Sequence, residues 1–194
     1  MKKTALRLGL YGGTFDPIHH GHLLGARDVL EQLRLDLVLF IPSRQSPHKQ
    51  HVSSAPALHR VAMIEKALAH EPRFWLSTCE LQRPGPSFTI NTVEQFQGIF
   101  PGADLFWIIG EDQLAKLRTW ERYQELRKKV RFVLLSRGKG PRRGPRDLIR
   151  LPQPRRIDIS ASEIRRRVTQ KKSLLGFVPP SVATYIQHHH LYLS

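Results

Sequence analysis

Three histidines, His19, His20 and His22, crowd into four positions just after the string Gly12-Gly13-Thr14-Phe15-Asp16-Pro17-Ile18. His19 and His22 are three residues apart, so they share one face if a helix begins there. The chemistry open to such a pair is donation to anionic oxygen. A helix start offers free N–H groups and the positive end of its dipole, and two imidazoles beside it can donate to phosphate. Gly12 and Gly13 let the backbone approach a phosphate closely, Thr14 can add a hydroxyl, and Gly21 leaves room for a ligand. The G-x-G-x-x-G spacing of a dinucleotide turn is absent, as is the Lys-Ser/Thr ending of a Walker A loop. Metal ligation by the three histidines, helped by His48 or His51, is a competing reading. No acid or cysteine pattern accompanies them, however, as a closed site requires. A purely structural role is disfavoured, because three histidines at a polar helix start are poor core material.

Other residues of useful type stand at the ends of apolar runs. Pro42-Ser43-Arg44-Gln45-Ser46-Pro47-His48-Lys49 follows the run Leu37–Ile41 and reads on its own as a solvated basic loop. In Glu80 to Thr89, Ser87 or Thr89 suits a helix cap. Asp112, in Gly110-Glu111-Asp112, is a strand-end carboxylate of the kind that holds ribose hydroxyls. Trp120 offers a face for a flat ring, or simply packs on a neighbouring helix. In Ile159-Ser160-Ala161-Ser162-Glu163-Ile164-Arg165, Ser160 and Glu163 form a capping box, and Arg165 lies one turn in from a helix start able to take phosphate. Cys79 is the single cysteine, which rules out an intrachain disulfide. It reads as a small buried hydrophobe and fits a reducing, cytoplasmic setting.

The elements that must position these residues alternate along the chain. Strands are expected at 6–11, 37–41, 74–81, 105–109 and 130–136, with a short segment near 157–159. Helices are expected at 21–34, 57–70, from 89, at 112–117 and 121–129, at 161–171 and at 181–190. Leu23, Ala26, Leu30 and Leu33 line the first helix, and Leu58, Val61, Ile64 and Leu68 the second. Ile90, Val93 and Phe96 face inward on the helix from 89. Strands apolar on both faces, alternating with helices, indicate an α/β, Rossmann-like, doubly wound and mainly parallel sheet with helices on both faces. Residues 1–194 form a single domain in this reading, with a basic loop at about 138–156. In such a sheet the ligand crevice lies beyond the carboxyl ends of the strands.

The net charge is +15, and residues 137–172 alone hold thirteen basic and three acidic residues. The loop 138–156 is either an electrostatic funnel for anions or a solvated basic segment. Arg166 and Arg167 are expected to be solvated, and His188, His189 and His190 exposed without a role. No segment approaches membrane-spanning length, and Met1-Lys2-Lys3 leads into a run too short for a signal peptide. The oligomeric state is left open.

Gly-Gly-Thr-Phe-Asp-Pro-x-His-x-Gly-His, residues 12–22, resembles the bacterial nicotinate-nucleotide adenylyltransferases, and His19-His20-Gly21-His22 the H-x-G-H signature of the wider nucleotidyltransferase superfamily. The segment ending Pro47-His48-Lys49 is similar to the family's Pro-Pro-His-Lys, with Ser46 for the first proline. Pro86-Ser87-Phe88-Thr89 resembles its Pro-Ser-Tyr-Thr, with Phe88 for tyrosine. Gly110-x-Asp112, Trp120 and Ile159-Ser160-x-x-x-Ile164-Arg165 match in order and spacing. The resemblance implies transfer of AMP from ATP to nicotinate mononucleotide, with Mg²⁺ accompanying ATP, and deamido-NAD as product. By it His19, His22, Lys49 and Arg165 carry catalysis. Gly12, Gly13, Thr14, Phe15, His19, His22, Ile159, Ser162 and Arg165 bind ATP, and Thr89, Asp112, Trp120 and Arg137 bind nicotinate mononucleotide. Nicotinamide mononucleotide and phosphopantetheine are the rival acceptors. A nucleic-acid-binding protein is the rival of another class, but residues 138–156 lack the aromatic platforms it would use. A zinc-dependent hydrolase would rest on the histidines alone.

Overall fold

A computed structural model describes residues 5–44, 54–135, 148–153, 155 and 157–193. Its strands are β1 (Arg7–Gly13), β2 (Leu37–Pro42), β3 (Phe74–Leu76), β4 (Asp104–Gly110), β5 (Arg131–Leu135) and β6 (Ile149–Arg150). They form one parallel sheet in the order β3-β2-β1-β4-β5-β6. The helices are α1 (His20–Gln32), α2 (Ala57–Leu68), α3 (Cys79–Gln82), α4 (Thr89–Ile99), α5 (Glu111–Leu114), α6 (Tyr123–Lys129), α7 (Ala161–Thr169) and α8 (Pro180–His188), with a 3-10 turn at Leu117–Thr119.

The central stretches of β1, β2, β4 and β5 are apolar and buried because both faces of the sheet are covered. Alternate residues feed two cores. Val38, Phe40, Phe106, Ile108 and Val133 pack with Ala26, Val29 and Leu30 of α1, Met63 and Ile64 of α2 and Val182 of α8. Leu8, Leu10, Leu39, Ile41, Trp107, Ile109 and Leu134 pack with Ile90, Val93 and Phe96 of α4 and Leu126 of α6. The strand order reverses between β1 and β4, and there the site opens. β1 pairs with β2 as far as Gly13↔Pro42, but with β4 only as far as Leu10↔Trp107. Beyond that point the two central strands part, and the residues after each line a crevice.

Five expectations change. The run 74–81 is not one strand: β3 stops at Leu76, and Cys79–Gln82 turn as a helix that carries Glu80 inward. Cys79 is accordingly half-buried rather than buried. Leu58 is 75% exposed, because the buried face of α2 is Arg60, Met63, Ile64 and Leu68. The short segment 157–159 leads into α7 as expected, but a sixth strand lies at Ile149–Arg150, within the expected basic loop, between the buried Leu148 and Leu151. Arg167 is not simply solvated: it donates to the Ser173 carbonyl at 2.8 Å and its guanidinium lies over Phe177.

Candidate active site

A cleft of about 480 Å³ runs along the crevice. It gathers Gly12, Gly13, Thr14, Phe15, His19 and His22 from the β1–α1 turn, Asp112 after β4, and Ile159, Ser162 and Arg165 around the start of α7. A smaller cleft beside it gathers Thr89, Trp107 and Trp120, and the two share Gly12, Gly13, Thr14, Ser43 and Gln113 as a common wall. Lys49 and Arg137, like His48, His51 and most of 138–156, lie outside the described residues.

The β1–α1 turn is built for close approach. A Cβ on Gly12 would come within 2.6 Å of the Trp107 ring. Phe15 takes a left-handed conformation (φ 50) that buries its ring edge-on to Tyr11 and His22. The space at Gly21 is filled by the protein itself, since a Cβ there would meet the His19 ring at 2.9 Å and the Ile159 carbonyl at 3.4 Å. Glycine thus lets the start of α1 press against the segment before α7. His19 is 2% exposed despite its polarity, and its ring stacks on that of His22 with centroids 3.6 Å apart. The His19 N–H donates to His22 Nδ1 at 3.3 Å. A neutral imidazole whose Nδ1 accepts carries its proton on Nε2, so His22 keeps an N–H donor at its other end.

Ser160 caps α7 by accepting from the Glu163 N–H at 3.2 Å. Arg165 donates to the Asp16 carbonyl at 2.6 Å and to Ser162 Oγ at 3.3 Å. A Cβ on Gly110 would strike Asp112 Oδ1 at 2.7 Å, so glycine there lets the carboxylate fold back over the strand end.

In the smaller cleft neither Ser87 nor Thr89 caps a helix. Thr89 is the first residue of α4, which starts without a side-chain cap, and Ser87 Oγ accepts from the Arg44 N–H at 3.0 Å. Trp120 meets Trp107 and Phe132 edge-on, and its Nε1 is buried with no hydrogen-bond partner among the described residues.

Residues not singled out from the sequence line the walls or brace them from behind. Arg60 donates to the carbonyls of Thr14 at 2.9 Å and Ala55 at 3.1 Å, pinning the glycine turn to α2. Burial lowers its pKa, and the neighbouring Asp16 opposes that. Asp28, also buried, accepts from Arg155 at 2.8 Å at the far end of the larger cleft. Glu80 accepts from Thr92 Oγ1 at 2.7 Å, and burial pushes its carboxyl above the usual range. Burial also raises the Cys79 thiol, which makes it a poor nucleophile. An arginine on the buried face of a helix is the one signal that could have marked Arg60; the others depend on distant partners.

Among the described residues no three His, Cys, Asp or Glu side chains stand together as a metal-holding group. Nor is any described helix long and apolar enough to cross a membrane.

Residues 10–167 match the cytidylyltransferase-like family. A protein of Methylacidiphilum infernorum named a probable nicotinate-nucleotide adenylyltransferase is 42% identical over 193 residues, 99% of this chain and 95% of its own. A protein so named in Thermus thermophilus is 42% identical over 188 residues, 96% of this chain and all of its own. In fold, the chain superposes on the nicotinic acid mononucleotide adenylyltransferase of Plasmodium falciparum complexed with NaAD. The TM-score is 0.81 at 20% identity, covering 96% of this chain and 97% of that one.

Proposed function

The chain belongs to the nicotinate-nucleotide adenylyltransferases of the cytidylyltransferase-like family, and from that premise we propose that it transfers AMP from ATP to nicotinate mononucleotide, releasing pyrophosphate and forming deamido-NAD for NAD biosynthesis. The observation that carries this reading is the pair of clefts sharing one wall at Gly12, Gly13 and Thr14. Two substrates held on either side of a glycine turn meet at that turn. A phosphate oxygen of the mononucleotide attacks the α-phosphorus of ATP; the new P–O bond forms as the bond to the β-phosphate bridging oxygen breaks. The acceptor brings its own nucleophile, so no activated side chain is needed, and positioning and electrostatics do the work. In this reading His19, His22, Lys49 and Arg165 spread charge over the phosphates. Gly12, Gly13, Thr14, Phe15, Ile159 and Ser162 hold ATP, while Thr89, Trp120 and Arg137 hold the mononucleotide together with Asp112, which lines the larger cleft next to Gln113 of the shared wall. Mg²⁺ would enter on the ATP phosphates, since the described walls offer mainly cations, hydroxyls and backbone N–H groups rather than a carboxylate cage. We place the enzyme in the cytoplasm, a reading supported by the unpaired thiol of Cys79.

The nicotinate carboxylate only accepts hydrogen bonds. Thr89 and the uncapped start of α4 offer donors at the smaller cleft. An amide in the same place turns its NH₂ toward donors and leaves them unpaired, so the acid should be preferred by about a hundredfold. A pyrophosphate-release assay with ATP and each of nicotinate mononucleotide, nicotinamide mononucleotide and phosphopantetheine tests this. Equal efficiency on the two mononucleotides removes the acceptor assignment. No release with any of them removes adenylyl transfer.

A further inference from the structure

We propose that Tyr192, in the C-terminal tail, is a positioning residue for the ATP phosphates, acting through Asp16 on Arg165. The inference rests on the adenylyl-transfer reading above. Asp16 is a carboxylate only 5% exposed in the wall of the larger cleft. A negative charge there opposes a polyanion, so the way it is neutralised decides what its neighbours can do.

Its Oδ1 accepts from the Tyr192 hydroxyl at 2.6 Å and from the Ala55 N–H at 3.2 Å. Its Oδ2 stands 3.8 Å from Arg165 Nη1, beyond hydrogen-bond range. The same Nη1 is bonded to the Asp16 backbone carbonyl at 2.6 Å. Arg165 is therefore tethered to the loop by the main chain without being captured by the side chain. Its Nη2 donates to Ser162 Oγ at 3.3 Å, and Ser162 lines the larger cleft.

Tyr192 is well fixed for this task. It holds a left-handed backbone conformation (φ 64) that side chains of its size seldom take. Its neighbours impose that conformation: the Tyr192 carbonyl accepts from Thr169 Oγ1 at 3.1 Å, on the helix that bears Arg165, and the Leu191 N–H donates to the Ile186 carbonyl at 3.1 Å. Burial and the Asp16 carboxylate push the phenol well above its usual range, which keeps it a donor at neutral pH. Without the hydroxyl, a buried carboxylate loses its shortest hydrogen bond and recruits the nearest cation. Of the two guanidiniums near Asp16, Arg60 is already held by the Thr14 and Ala55 carbonyls, so it is Arg165, its Nη1 3.8 Å from Oδ2, that turns from the cleft toward the Asp16 side chain.

The test is Tyr192→Phe, which keeps the ring. Its KM for ATP, and its Kd for a non-hydrolysable ATP analogue, should rise about tenfold and kcat should fall with Arg165 turned away, while the KM for nicotinate mononucleotide stays within about twofold. In an Arg165→Lys background the same substitution should change analogue binding by less than about twofold, because the guanidinium it acts through is already gone. Asp16→Asn removes the competing charge and should tighten analogue binding; it keeps the idea testable if Tyr192→Phe does not fold. Unchanged ATP binding in folded Tyr192→Phe, an equal rise for both substrates, full additivity with Arg165→Lys, or weaker binding by Asp16→Asn would each overturn the role. An unmodified enzyme that releases no pyrophosphate would instead overturn the reading on which it rests.

Discussion

At the scale of single residues, the site depends on donors whose hydrogens are already assigned by neighbours. His22 is the clearest case, because its Nδ1 is occupied by the His19 N–H and its ring is wedged against Phe15 and Tyr11. A donor fixed before substrate arrives costs nothing to reorient as charge moves onto the α-phosphate oxygens. His22→Ala should therefore lower kcat by about a hundredfold with KM little changed. Steady-state kinetics on the folded variant check this, and near-normal turnover would remove His22 from the chemistry. Glu80 behaves differently. Its carboxyl is raised by burial, with the Thr92 and Ser87 hydroxyls only partly opposing that. A group with a raised folded-state pKa holds its proton longer in the folded protein. Its contribution to stability is thus fully present below the unfolded-state value of about 4.5 and is lost as pH rises through the folded value. Glu80→Gln keeps an acceptor for Thr92 and cannot ionise. It should melt above the parent protein at about pH 8, and that gap should close as pH falls toward 4.5. A gap that is constant with pH, read by thermal denaturation, would mean that burial leaves the Glu80 carboxyl titrating as it does in the unfolded chain.

At the scale of elements, chemistry comes from strand ends, and the packing behind them sets what each position tolerates. Gly12 ends β1 against the Trp107 ring of β4, and Trp107 also walls the smaller cleft. Gly12→Ala should cost about 1–3 kcal/mol by overpacking. It should also raise the KM for the mononucleotide more than that for ATP, because the ring must yield toward the acceptor. A melt together with the two KM values tests both halves; equal KM effects would mean that the strain spreads along β1 instead. The same packing explains what could be read without coordinates. Leu37–Ile41 and Leu105–Ile109 are apolar at every position because two cores claim alternate residues, so these strands and a parallel sheet covered on both faces could be read from them. The helix α2 was set out of phase because Arg60 occupies a core-facing position. Only the carbonyls of Thr14 and Ala55, distant in sequence or outside the helix, make an arginine acceptable there. The two residues of β6 carry no period to detect. Cys79 to Leu81 read as strand because nothing local shows that Glu80 turns inward to meet Thr92 twelve residues on. Tyr192 escaped for the same reason, its partner lying 176 residues away.

At the scale of the whole molecule, the unequal spread of charge is the feature that no single contact accounts for. The chain carries +15, and residues 137–172 hold thirteen basic residues against three acidic ones. Part of that excess touches the cleft directly, as Arg155 and Arg165 do. Another part cannot touch it: Arg166, Lys171 and Lys172 are exposed around the end of α7. Such residues act on ATP only through the summed field, which reaches as far as salt allows. The screening length is about 20 Å at 25 mM salt and about 6 Å at 250 mM. If the field draws ATP to the site, the Kd of a non-hydrolysable analogue should weaken by about tenfold between those two conditions. Replacing Arg166, Lys171 and Lys172 together with glutamine should then weaken binding by about threefold at the low salt and leave it unchanged at the high salt, where distant charges are screened. Residues in contact with the phosphates would show the opposite pattern, losing affinity under both conditions. Titration calorimetry on the parent and the triple variant separates the cases. Analogue binding indifferent to salt would mean that these basic residues serve solvation alone, and a triple variant equally weakened at both would mean that they act by contact with the nucleotide and not through the field.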